Sequence, residues 1–197
     1  MTLAAATLSS EFIKVIDPEN AGFVGWPATV ADSCVNWGNA YHAYASQATD
    51  VSGDALVTAN LPLFISTLQA SLPAAAVGTA ALAANAFDLA FIAYWTAAIF
   101  AIGAPPTPAA VCPSIGGTML WSLEITSLVT AVVPAVLKGL LLPEFAIVDV
   151  ATTAQEKADS LAQAFHTATT TAIMVLITGL DTTVPIPLPI TNLCTIF

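Results

Sequence analysis

Charged residues are too sparse along this chain for the fold to be an ordinary water-exposed monomer. The 197 residues include three lysines, no arginine and 13 acidic residues. Asp54 and Asp88 are separated by 33 uncharged residues, and Asp88 and Glu124 by another 35. A small soluble domain usually covers roughly a quarter to a third of its surface with Lys, Arg, Glu or Asp. Lipid or neighbouring protein subunits must therefore replace the missing polar surface.

The composition excludes two broad classes of protein. Only 8% of the residues are charged, 57% are apolar, and the mean hydropathy is +0.83. A disordered acidic segment needs low hydrophobicity, so this class is excluded. Nucleic-acid binding is also excluded, because Lys14, Lys138 and Lys157 are too few to neutralise a row of phosphates.

Three stretches, 86–104, 119–137 and 160–180, have the length of about 20 residues that a transmembrane helix requires. Asp88 lies near one end of the first, Glu124 lies within the second, and the third is rich in Thr, Ser, Gln and His. A carboxylate deep in hydrocarbon costs about 2.5–3.5 kcal/mol on the insertion scale. Short loops with Lys or Arg, which set topology, are almost absent, and no signal peptide is expected at the N-terminus. Burial in an assembly is therefore the favoured interpretation, and an integral membrane protein with two or three transmembrane helices is the alternative.

The hydrophobic periodicity and the turn residues predict a mostly α-helical fold, a bundle of about five or six helices with Pro/Gly-rich loops. A helix is expected from Thr29 or Asp32 to Gln47, and the one we expect most firmly begins at the capping box of Thr153 and Glu156. The predicted helices cover residues 29–47, 57–72, 74–102, 118–133, 134–142 (ended by Pro143) and 153–178.

Three regions are predicted along the chain: an N-terminal arm and loop (1–28), a helical domain (29–180) with an internal Pro/Gly loop at 103–117, and an extended Pro-rich C-terminal arm (181–197). The N-terminal arm is either extended or a short helix before its loop. In the C-terminal arm, proline alternates with branched apolar residues from Val184 to Ile190, a pattern that a central β-strand does not tolerate. Such a tail packs either on its own domain or on a neighbouring subunit, and the scarcity of charge favours the neighbour.

The first predicted helix has an apolar and aromatic stripe, which is either a ligand platform or, as we favour, one side of the core: Val30, Cys34, Trp37, Tyr41 and Tyr44. The sequence also contains an internal similarity, which we call the echo. Residues 39–46 resemble 163–170, and the pieces 90–91 and 96–100 resemble 164–165 and 170–174. Either these matches of common residues arise by chance, or they indicate similar helical units packed together.

Residues with catalytic or metal-binding chemistry do not form a recognisable motif. His42 and His166 have Ser46 and Thr170 four residues later where a metal site would have ligands, so both histidines are expected to be structural. Cys34, Cys112 and Cys194 contain no CxxC, and a reduced state is expected. No P-loop lysine follows 114–117, no GxGxxG or GxSxG is present, and the acids lie apart except for Asp17 and Glu19. We therefore expect no enzyme, no catalytic, cofactor-binding or metal-binding residues, and no cofactor.

The Ala/Thr-rich helices, the Tyr94-Trp95 pair before the Pro/Gly-rich loop, and the late segment LAQAFHTATTTAI with its short extended C-terminus resemble small virion structural proteins of tailed bacteriophages. The resemblance covers residues 80–190 and is to tail or baseplate components more than to capsid shell proteins. It implies a non-catalytic subunit that is present in many copies in a virion. Its partners would be other copies of itself and other structural proteins, with membrane contact during infection left open.

Overall fold

The computed structural model describes residues 3–72, 79–102, 111–112, 117–118, 123–146, 152–181 and 188–196. The helices of this part of the chain are α1 (Ala5–Ile16), α2 (Val30–Ala45), α3 (Leu61–Ser71), α4 (Ala80–Trp95), α5 (Val136–Ala146) and α6 (Ala154–Ala172). Its strands are β1 (Leu56–Thr58), β2 (Ile99–Phe100), β3 (Val111–Cys112), β4 (Gly117–Thr118), β5 (Leu123–Val132), β6 (Ile173–Asp181) and β7 (Leu188–Cys194).

Five strands form one antiparallel sheet in the order β1-β2-β5-β6-β7, and β3 pairs with β4 in a separate hairpin. Val129, Val175 and Cys194 lie opposite one another on β5, β6 and β7, and all three are buried. Side chains of successive strand residues point to opposite faces, so this row marks the face that packs on the core.

The six helices are arranged cyclically. Each helix contacts the next along the chain, from α1 to α6, and α6 closes the ring against α1. The interior is filled by large aromatic side chains that are almost completely buried: Phe12, Tyr41, Phe64, Phe91, Tyr94, Trp95 and Phe165. Tyr41 lies among them, with its ring centroid 5.1–6.1 Å from those of five other aromatic residues.

The ring consists of three units with the same order of elements, α1-α2-β1, α3-α4-β2 and α5-α6-β6. The second helix of each unit begins after an N-cap threonine, namely Thr29, Thr79 or Thr153. Each threonine side chain accepts a hydrogen bond from the backbone N–H three residues later, which satisfies an otherwise unpaired donor of the first turn.

We count residues from the N-cap threonine of each unit and call this number the offset. Corresponding residues then have the same offset in all three units. At offset 12 lie the buried aromatic residues Tyr41, Phe91 and Phe165. At offset 19 lie Ala48, Ala98 and Ala172, whose carbonyls accept hydrogen bonds from Leu56, Val129 and Val133. The residues 39–46 and 163–170 that resemble each other in the sequence occupy equal offsets, so this echo follows the structural repeat.

The first helix of each unit contributes two fully buried side chains four residues apart. These pairs are Leu8 and Phe12 in α1, Phe64 and Leu68 in α3, and Leu137 and Leu141 in α5. Residues at i and i+4 lie on the same face of a helix, so each first helix presents one such pair to the interior of the ring.

The predominantly helical fold is confirmed, but the prediction missed the sheet. Residues 123–132, predicted as part of a helix, form β5, and the helix predicted to run to 178 ends at Ala172, where β6 begins. Buried and partly exposed residues alternate along β6, with Ile173, Val175 and Ile177 all buried. β-Branched residues with this period of two favour a strand over a helix.

Two further boundaries differ from expectation. Pro143 lies inside α5 instead of ending it. The N-terminal region, expected as an extended arm or a short helix, contains α1, which is a full member of the helical ring. Residues 188–194, expected to extend onto a neighbour, instead form β7 as an edge strand of the chain's own sheet, the position in a sheet where proline is tolerated. Of the internal loop predicted at 103–117, residues 103–110 and 113–116 lie outside the described part.

Candidate functional site

The two histidines both bind tyrosines of neighbouring units. His42 Nδ1 lies 2.7 Å from the hydroxyl oxygen of Tyr94, and His166 Nδ1 lies 2.7 Å from the hydroxyl oxygen of Tyr44. The first hydrogen bond joins α2 to α4, and the second joins α6 to α2. We call these two contacts the His–Tyr pairs. They give each histidine a structural partner.

The His–Tyr pairs follow the threefold repeat. In each pair the histidine is at offset 13 of one unit and the tyrosine is at offset 15 of another. The third combination is offset 13 of the second unit with offset 15 of the third unit. These positions hold Ile92 and Ala168, so both residues are apolar there. Replacing both members of a buried hydrogen bond by apolar groups avoids the penalty for leaving one unpaired.

Tyr41 is the most enclosed polar side chain of the aromatic interior. Its hydroxyl accepts a hydrogen bond from Trp95 Nε1 at 2.7 Å and lies 2.9 Å from Thr169 Oγ1. Thr169 Oγ1 in turn donates to the carbonyl of Phe165 at 2.7 Å. Burial raises the pKa of Tyr41 well above its ordinary value, and it raises the pKa of Tyr44 and of Tyr94 in the same direction. These phenols stay neutral and act as hydrogen-bonding groups of the core.

Asp50 is a buried carboxylate at the turn after α2. Its Oδ2 accepts a hydrogen bond from Ser127 Oγ at 2.5 Å, and its Oδ1 accepts from the backbone N–H groups of Ser52 and Asp54 at 2.9 and 3.0 Å. Burial raises the pKa of Asp50, and these hydrogen bonds oppose the rise. The arrangement fixes the turn against β5. Ser52 Oγ and Asp54 Oδ2 are buried nearby without a hydrogen-bond partner.

Asp88 caps the N-terminus of α5 from a different helix. Its two carboxylate oxygens accept hydrogen bonds from the backbone N–H groups of Ala135 and Lys138 at 3.0 and 3.1 Å. A carboxylate is favoured at this position because the helix dipole places positive charge there. Asp88 is only 5% exposed, so its carboxylate serves the helix terminus and not the outer surface.

The oxidation state of the cysteines differs in part from the expected reduced state. Cys34 is a buried free thiol, and burial raises its pKa. Cys194, however, is disulfide-bonded, so the expected reduced state is wrong for this residue. β7, which holds Cys194, contacts β3, which holds Cys112. The spacing of cysteines in the sequence could not show this, because a disulfide depends on the distance between the strands.

The other residues weighed for chemistry are separate from these groups. Asp17 Oδ1 accepts a hydrogen bond from the backbone N–H of Glu19 within the loop after α1. Residues 114–116 lie outside the described part. Among the described residues, no three His, Cys, Asp or Glu side chains come close enough together to hold a metal ion.

The cavities against the helices are small. One of about 80 Å³ lies between the end of α4 and β5, one of about 130 Å³ between α1 and α2, and one of about 150 Å³ beside Asn60 and the turn after α4. Small-molecule sites usually have about 300–1,000 Å³. Each of these three cavities is therefore smaller than a usual ligand site.

The most unusual feature of the described part is its apolar surface. Among the side chains whose exposure the structure describes, four charged ones are exposed, those of Glu19, Asp32, Glu156 and Asp159. Thirteen large apolar side chains are exposed: Val24, Trp26, Val30, Val35, Val57, Leu63, Leu82, Leu89, Ile99, Ile102, Ile125, Val133 and Leu142. Single exposed apolar residues are common, but this ratio of apolar to charged residues indicates an interaction surface.

Trp26 is the most exposed member of this surface, at 74%. Its ring packs edge-on against Phe23, with 5.3 Å between the ring centroids. The aromatic stripe of α2 is instead part of the core for Cys34, Tyr41 and Tyr44, which are fully buried. The sequence analysis singled out the residues of this stripe, of which Val30 is exposed, and did not identify the other exposed apolar residues.

In the described part of the chain, no helix combines the length and the apolar character that crossing a bilayer requires. No protein-family model matches the chain, and no curated protein or solved structure is significantly similar to it.

Proposed function

We propose that this protein is a non-catalytic structural subunit of a large assembly of the virion type, as in the tail or baseplate of a tailed bacteriophage. Copies of the chain and other structural proteins would contact one another through apolar surfaces. The observation that supports this most is the excess of exposed large apolar side chains, thirteen, over exposed charged side chains, four, in the described part.

The buried polar groups also support a structural role. Tyr41, Trp95 and Thr169 satisfy one another's hydrogen-bonding groups inside the core, and each histidine is paired with a tyrosine. A catalytic site needs polar groups that converge where a substrate can reach them. The buried acids Asp50 and Asp88 bind backbone N–H groups of a turn and of a helix terminus instead.

The test is co-purification with particles. Virions from the source that encodes this chain are banded in a density gradient, washed at high salt, and analysed by quantitative mass spectrometry. The proposal predicts that the protein stays on the particles through the high-salt wash, because apolar contacts resist salt. The number of copies per particle should be fixed. Complete loss of the protein from banded particles, with recovery in the soluble or membrane fraction of the host, would overturn the virion role.

A further inference from the structure

α4 differs from its two equivalent helices at offset 3. Leu82 occupies this position and is 52% exposed, whereas α2 and α6 have the exposed acids Asp32 and Glu156 there. Both acids complete a capping box by accepting the backbone N–H of the N-cap threonine. Leucine cannot make this bond, so α4 lacks a stabilising contact that the repeat elsewhere provides.

The same difference recurs at offset 10. Leu89 is 43% exposed, whereas the equivalent exposed residues of α2 and α6 are Asn39 and Gln163. The three helices occupy equivalent places in the ring, so the fold itself does not require leucine at either position. A contact outside the fold explains both leucines, because burial of a leucine side chain contributes about 1.5–3 kcal/mol.

The two leucines belong to one seam along α4. Leu82, Asn85, Leu89 and Ile92 follow one another at steps of 3, 4 and 3 residues, the spacing at which one helix packs along another. We call these four residues the α4 seam. Ile92 is half-buried and lines the apolar cavity against β5, and Asn85 Oδ1 accepts a hydrogen bond from Lys138 Nζ at 3.1 Å.

Among the side chains that the structure describes, no exposed acid lies on α3 or α4. α3 has no charged residue, and Asp88, the sole charged residue of α4, is 5% exposed and bound to the backbone of α5. The charged neighbour of the seam is Lys138 of α5, which is partly buried and donates to Asn85. Each chain has a net charge of −10, so two copies repel each other. A face without exposed acids allows a second copy to approach without desolvating carboxylates, which is costly.

We propose that the α4 seam packs against the same seam of a second copy of this chain, antiparallel across a two-fold axis. In this arrangement Leu82 lies opposite Ile92 of the other copy, and Asn85 lies opposite Leu89. The order of the four residues thus maps onto itself across the two-fold axis. This inference rests on the proposed function, because it assigns one of the contacts by which copies associate.

The test replaces the two leucines by the residues of α6 at the same offsets. The double variant Leu82→Glu/Leu89→Gln restores the capping acid, so helicity and the thermal midpoint should equal or exceed those of the parent. Sedimentation equilibrium of the full chain without detergent should show self-association of the parent. The double variant should raise the dissociation constant at least about tenfold, since it removes two buried anchors per copy.

Asn39→Gln is the matched control, because it places the residue of α6 at offset 10 on the exposed face of α2, replaces none of the thirteen exposed apolar side chains, and should leave the dissociation constant unchanged. If circular dichroism shows that the double variant is unfolded, Leu89→Gln alone provides the test. Association of a folded variant with the parent's dissociation constant would overturn the seam and leave the proposed function standing. A parent that is monomeric at all concentrations would overturn both.

Discussion

The hydroxyl oxygen of Tyr44 lies 2.7 Å from His166 Nδ1, and this contact closes the helical ring between the first and third units. His42 and Tyr94 make the equivalent contact between the first and second units. Both hydrogen bonds join helices that are distant in sequence, so they hold the units in one relative position. The aromatic interior supplies most of the packing, and the His–Tyr pairs specify how the units meet.

The first prediction concerns the coupling within a His–Tyr pair. Tyr44→Phe leaves the half-buried Nδ1 of His166 without a partner and should lower the free energy of unfolding by about 1–3 kcal/mol. The double variant Tyr44→Phe/His166→Leu should cost less than the sum of the two single changes, since an apolar pair occupies the equivalent positions Ile92 and Ala168. Urea denaturation of the four proteins measures this, and strictly additive effects would contradict the assigned hydrogen bond.

The second prediction concerns pH. Burial lowers the pKa of His166 from its ordinary 6.5, so below about pH 6.5 the unfolded chain binds more protons at this residue than the folded one. The free energy of unfolding should therefore decrease as the pH falls from neutral through 6.5 towards the folded-state pKa. Urea midpoints between pH 8 and pH 5 should show a smaller decrease for His166→Gln. Equal slopes for parent and variant would refute the buried, neutral histidine.

The third prediction concerns Asp88. Asp88→Ala removes both acceptors at the start of α5 and should lower the free energy of unfolding by about 1–3 kcal/mol, because two backbone N–H groups of the first turn lose their charged partner. Asp88→Asn keeps one carbonyl oxygen and should cost less. Glu19→Gln, at an exposed acid of the loop after α1, is the control and should change stability little. Chemical denaturation of the three variants compares these costs.

The fourth prediction concerns the cysteines. The chain has three cysteines, of which Cys34 is free and Cys194 is disulfide-bonded. The protein denatured without reductant should therefore react with one equivalent of thiol reagent, and the Cys34→Ala variant should react with none. The folded protein should react slowly, because Cys34 is completely buried. Three reactive thiols in freshly prepared, unreduced protein would show that the disulfide is absent. Reduction should lower the free energy of unfolding by about 2–4 kcal/mol.

Local signals in the sequence were sufficient to predict the starts of two helices. Thr29 with Asp32, and Thr153 with Glu156, form the capping boxes that mark two helix starts. The boundary between α6 and β6 had no comparable signal, because Ala172 is followed directly by Ile173 without glycine or proline. An apolar run of this kind is compatible with either a helix or a strand until its partners are known.

The repeat was visible in the sequence only as an echo, since different residue types perform equivalent tasks in each unit. Tyr41, Phe91 and Phe165 all fill the interior at offset 12, yet they share only their aromatic character. The exposed leucines of α4 are recognised as unusual only by comparison with the equivalent positions of α2 and α6. These equivalent positions are known only from the structure. The disulfide of Cys194 likewise depends on strand neighbours that spacing along the chain does not reveal.

Association in water is the central claim of this account, and sedimentation velocity of the unmodified full chain without detergent tests it most directly. The excess of exposed apolar residues predicts species heavier than the 20.1 kDa monomer, with a weight-average mass that rises with concentration. Added salt should not dissolve these species, because their contacts are apolar and not ionic. A homogeneous, folded 20.1 kDa monomer at high protein concentration would contradict the account.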